Sequence, residues 1–224
     1  MPLHHRSRFA ALAFGAGLAL LLPSTAHAST PVITDPAGDA GVTAYPCQPN
    51  LGIAVDPCLT TVPALSEPGI DIVEADVVLD GTDLLFSIKV VDIDAAPLQT
   101  SGRTFSFGTT YAGLSVHVRV SHVGQFDTTA TGSFDVVNLA STGSGTAVDA
   151  TLDPTTNVLQ WTVPLTDANA ALADVCASCT PIGAGSTLQD FSARAGYELD
   201  PTGSIGVPCV GRCDGAETRG TSTL

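Results

Sequence analysis

From residue 70 onward, short runs in which apolar and polar residues alternate recur between breaks rich in Gly, Pro, Asp and Thr. A period of two is the mark of a strand with one face buried and the other wet. About eight such runs are legible, near 70–79, 84–93, 104–107, 114–121, 132–138, 146–151, 157–163 and 188–197. Short strands at this spacing predict an all-β fold, a jelly-roll-like β-sandwich of about eight or nine strands. Helical spacing occurs near 166–175, where Leu165, Ala168, Leu172 and Val175 fall on one face and Thr166 is placed to cap. It predicts one short peripheral helix.

The stretch from Asp71 to Ile93 constrains register as well as type. Asp80-Gly81-Thr82-Asp83 has the composition of a hairpin turn, and facing residues then have numbers summing to 163. That register sets Val73, Ala75, Val77 and Leu79 opposite Val90, Ile88, Phe86 and Leu84, and a slip of one residue would turn all of them to the wrong face. Glu74 lands opposite Lys89, the sole lysine of the chain, as an ordinary cross-strand ion pair. Asp71 lands opposite Asp92, two like charges about 5 Å apart. Such a pair needs a cation, a proton or a splayed strand end.

Material for a cation is nearby. In Thr34-Asp35-Pro36-Ala37-Gly38-Asp39 two carboxylates flank a Gly-containing turn. Calcium takes 6 to 8 oxygens at roughly 2.3 to 2.6 Å, and loop carbonyls can supply the neutral ones. The expected metal ligands are Asp35, Asp39, Asp71 and Asp92, with Asp94 as an alternative to Asp92, in a structural rather than catalytic calcium site. The competing reading makes Asp35-Pro36-Ala37-Gly38 a plain β-turn with Asp at its first position.

The first 28 residues carry a basic start at His4, His5, Arg6 and Arg8, an apolar run from Phe9 to Leu22, and Ala26-His27-Ala28. This is the pattern of a secretory signal peptide, and the run falls short of the roughly 20 residues a membrane span requires. The expectation is a secreted protein without a membrane span, with a β-sandwich domain over 29–199 and a Gly- and Thr-rich, partly disordered tail over 200–224. Its formal charge of −14 excludes a nucleic-acid binder that works through a basic face.

Six cysteines, Cys47, Cys58, Cys176, Cys179, Cys209 and Cys213, follow the expected cleavage point. An even number in an oxidising compartment favours disulfides. The shortest closures join Cys47 to Cys58, which would staple a long Pro-rich loop over 40–69, Cys176 to Cys179 and Cys209 to Cys213. Pairings that cross the last four, and a four-thiolate zinc site built from them, are the alternatives.

Thr34 to Asp39, Tyr45-Pro46, Gly69-Ile70-Asp71-Ile72 and the hairpin ending in Val91-Asp92-Ile93 together resemble the N-terminal half of the DOMON and family 9 carbohydrate-binding-like secreted modules. These include the C-terminal modules of glucodextranase-like and surface-layer-associated proteins. The likeness covers residues 32–94 and continues faintly through Val163-Pro164 and Leu188 to Tyr197. It implies a jelly-roll-like sandwich, often with calcium, and in some members sugar binding or attachment to a host enzyme. The Cys-stapled loop at 47–58 departs from that pattern, and no attached enzyme accompanies the module here.

Sugar sites stack rings on exposed aromatics, yet aromatic residues make up only 5% of the chain, so the supply is poor. Trp161 shares a face with Leu159 and Val163 and reads as core, as do Phe86, Phe134 and Phe191. Tyr45 and Tyr111, placed in loops, are the candidate ligand-binding residues for a carbohydrate or another cell-envelope ligand. A protein-interaction role without sugar binding is the alternative.

An enzyme is not expected. His117 sits on the polar side of its strand, Ser121-His122 are adjacent and point oppositely, and neither G-x-S-x-G nor H-E-x-x-H occurs. Asp127 and Asp135 are a conceivable acid–base pair for a hydrolase, but acids are too abundant for that pair to stand out.

Overall fold

The computed structural model describes residues 30–38, 40, 68–95, 102–138, 141–142, 145–197 and 213–224. The strands are β1 (Ile33–Thr34), β2 (Ile72–Asp80), β3 (Asp83–Val90), β4 (Arg103–Tyr111), β5 (Leu114–Val123), β6 (Thr129–Asn138), β7 (Ser141–Thr142), β8 (Thr146–Asp153), β9 (Val158–Pro164), β10 (Thr187–Tyr197) and β11 (Cys213–Thr223). One helix, α1 (Leu165–Val175), follows β9. All pairings are antiparallel, in the order β1-β2-β3-β9-β8-β6-β5-β4-β10-β11, and β7 adds to β6. β1 and β2 at one margin of the sheet approach β10 and β11 at the other, so this all-β sheet is nearly closed on itself.

The eight alternating runs correspond to β2 to β6 and β8 to β10. Their inward residues fill the interior: Phe86, Phe107 and Phe134 meet edge-on or tilted, and Trp161 is fully buried beside them in sequence register with Phe86. The first turn forms as its composition dictates. Asp80 faces Asp83 across a two-residue loop in which Gly81 takes a φ of 60°.

Three features depart from the sequence expectation. Residues 213–223, expected in a tail, form β11 and pair along the whole of β10, with Ala216 buried against Ala193. Their Thr-rich composition suits a strand, but few apolar side chains mark its inner face. Thr166 lies inside α1 and caps nothing; Pro164 is the N-cap, and the Leu165 amide donates instead to the Thr82 carbonyl at 2.8 Å. The third departure is a set of β-bulges, with register shifts along β10 as well as at β2 and β5. One in β2 lets Ile72 and Ala75, three apart, both point inward, and one in β5 does the same for Val120 and Val123.

The two ends of the sheet are closed differently. At one end α1 packs Ala168 and Leu172 over β6 and β9, and Asn169 bridges to both backbone groups of Ile182. The Cys176–Cys179 disulfide follows directly, and Tyr111 reaches the Thr180 carbonyl. At the other end, the Gly69 turn and loops 91–95 and 124–128 gather around Arg103, and Asn157 ties its own turn to loop 91–95.

Candidate functional site

The residues singled out for metal binding lie at the loop end, and the bulge in β2 decides how they meet. From Glu74 to Asp80 the hairpin keeps the expected register, including Glu74 opposite Lys89 with an ion pair at 3.4 Å. Below the bulge Ile72, not Val73, faces Val90. The slip carries Asp71 opposite Val91, whose amide donates to the Asp71 carbonyl at 2.9 Å. Asp71 and Asp92 are therefore not a facing pair. Asp92 is exposed, and its Oδ1 accepts the Asp94 amide at 3.1 Å in a local turn.

Asp71 itself is 1% exposed, and its Oδ2 accepts the Gly38 amide at 2.7 Å. The acidic turn thus packs on the start of the hairpin as the calcium reading requires. Asp35 lies half-buried in that turn, and its amide donates to the Val73 carbonyl at 3.0 Å. Asp39 falls outside the described residues. For calcium the chemistry of this set is right, hard carboxylate oxygens beside loop carbonyls. Among the described residues no cluster of three or more His, Cys, Asp or Glu is gathered tightly enough to hold a metal. Of the expected ligands, Asp35 and Asp71 are brought to the same turn, while Asp92 sits in its own turn with Asp94.

A second buried charge at this end went unanticipated. Arg103 is fully buried, and its guanidinium donates to the carbonyls of Gly69 at 3.2 Å, Ile93 and Gly124 at 2.8 Å. Three loops are thereby tied to one side chain. A glycine makes room for it: a Cβ on Gly69 would sit 3.1 Å from Arg103 Nη1. The signal was in the sequence, since Arg103 shares its alternation face with Phe105 and Phe107.

Tyr111, expected in a loop, is the last residue of β4. It is 8% exposed, with its hydroxyl donating to the Thr180 carbonyl at 3.0 Å, so it is a packing residue and not a stacking platform. Tyr45 lies outside the described residues. Trp161, Phe86, Phe134 and Phe191 are buried as the alternation predicts. One aromatic ring escapes this pattern. Phe126, in the β5–β6 loop, is 77% exposed.

Cys176 and Cys179 form a disulfide, which excludes the zinc set that would have used both as thiolates. Cys47, Cys58 and Cys209 lie outside the described residues, as does the side chain of Cys213. His117 is exposed on the outer face between Gly108 of β4 and Asp135 of β6. Its ring packs against Gly108, and that partial burial lowers its pKa; Asp135 opposes the shift and Arg194 adds to it. Among the described residues His117 makes no hydrogen bond to Asp135 or to Ser192.

No helix among the described residues is long and apolar enough to cross a membrane. Compared with protein-family models, with curated proteins and with solved structures, the chain matches none.

Proposed function

We propose that the protein is an exported, non-catalytic β module of jelly-roll-like sandwich type that acts by binding a ligand at the cell exterior. In this reading a structural calcium site made by Asp35, Asp39 and Asp71 stiffens its loop end. The observation that carries it is the 2.7 Å bond from the Gly38 amide to the buried Asp71 carboxylate, which brings the acidic turn onto the hairpin. A calcium ion there would supply charge neutralisation for carboxylates held out of water, a cost that burial imposes and a cation relieves. The protein's own contribution is to orient Asp71 and to close the turn over it.

The test is calorimetric titration of calcium into metal-free protein, with a glycan array on the same preparation. Saturable calcium binding that Asp71→Asn abolishes supports the site, and its absence overturns it. Binding to an envelope glycan supports the carbohydrate version. A silent array removes that version and leaves association with a protein surface.

A further inference from the structure

The exposed ring of Phe126 stands on an anchored turn. Its turn is fixed at three points: the Gly124 amide donates to Asp127 Oδ2 at 2.7 Å, Gln125 Nε2 donates to the Asp94 carbonyl at 2.7 Å, and the buried Arg103 donates to the Gly124 carbonyl at 2.8 Å. Burying a phenylalanine is worth roughly 1.5 to 3 kcal/mol, so a ring presented to water on a fixed turn forgoes that gain. A pre-organised aromatic is also what an interface uses as an anchor, because little entropy is left to lose on binding. Val91, the other exposed large apolar side chain among the described residues, lies on the neighbouring loop at the same end.

The charge around this anchor has one sign. Asp92, Asp94, Asp127 and Asp153 are exposed on the loops at this end. Among the described residues toward it, Arg103 is buried under carbonyls, Lys89 is paired with Glu74, and His122 is the other basic side chain. An exposed ring face and carboxylates on the same end of the sheet both attract a cation. The chain as a whole carries −14, which adds attraction at longer range.

We infer that the loop end, with Phe126 as its anchor, docks a partner protein segment that presents arginine or lysine side chains. The guanidinium or ammonium lies over the Phe126 ring, and the flanking carboxylates fix its neighbours. This inference rests on the binding reading above but is independent of calcium. It selects a basic protein surface over a neutral sugar.

The experiment measures fluorescence polarisation of a labelled octa-arginine peptide on the full mature protein at physiological ionic strength, with octa-glutamate as the control. Wild type binds the basic peptide saturably. Phe126→Ala weakens it about five-fold while the melting temperature stays unchanged, and Phe126→Trp restores it. Equal binding by wild type and Phe126→Ala would mean general attraction to an acidic protein and would overturn the inference. So would a Phe126-dependent signal confined to the glycan array, or self-association that Phe126→Ala abolishes. A failure here with a positive array leaves the binding reading intact.

Discussion

The helix end and the loop end solve the same problem, closing a nearly continuous sheet, with opposite chemistry. At the helix end an amphipathic helix lays Ala168 and Leu172 on the sheet, and the polar groups are few and paired, as with Asn169 and Ile182. At the loop end Arg103 and Asp71 are buried charges that hold irregular backbone by its carbonyls and amides. Apolar closure tolerates small rearrangements, whereas a buried guanidinium serving three carbonyls leaves several groups unsatisfied when it is lost. The contrast is between an apolar, helix-covered closure at the first end and a rim with exposed carboxylates at the second.

The comparison breaks or sharpens in order of expected effect. Arg103→Met should cost about 3 kcal/mol or more, because the carbonyls of Gly69, Ile93 and Gly124 lose their donor; urea denaturation measures it. Arg103→Lys should recover little, since one ammonium cannot span the same fork. Leu172→Ala should cost about 2 to 3 kcal/mol and loosen the helix end only. If Arg103→Met proves milder than Leu172→Ala, the loop end is not held by the guanidinium.

Asp71→Ala should cost about 2 kcal/mol through the lost Gly38 contact, read in the same denaturation series. Lys89→Ala should change stability by less than about 1 kcal/mol, because its pair with Glu74 is substantially exposed. The smallest effect concerns pH. Burial against Gly108 lowers the His117 pKa from its ordinary 6.5, so the unfolded chain takes up the proton first as pH falls. Stability contributed there is present above pH 6.5 and declines below it, and His117→Gln should flatten that part of the pH–stability curve.

How far the sequence went follows from where its patterns are regular. Strands β2 to β6 and β8 to β10 and the inward face of α1 follow from periodicity, and the turn around Gly81 from its composition; the structure makes that turn a two-residue loop. The Glu74–Lys89 pair follows from the same register. The facing of Asp71 and Asp92 failed because a single extra residue at Val73 inverts everything below it, and nothing in the local sequence marks a bulge there. β11 was missed because its neighbours on β10 supply most of the apolar surface. Arg103 lies just outside the alternating run at 104–107, although it shares the inward face of Phe105 and Phe107. Phe126 had no periodic context to read. Its significance comes from the turn that Asp127, Gln125 and Arg103 build around it.

Hydrogen exchange with and without a calcium chelator tests the central claim most directly. The account predicts that chelation speeds exchange of the Gly38 and Val91 amides, which donate to Asp71, and leaves the Leu165 and Cys176 amides at the helix end protected as before. Unchanged protection at Gly38 and Val91, or an equal loss at both ends, would contradict a calcium site confined to the acidic turn and Asp71.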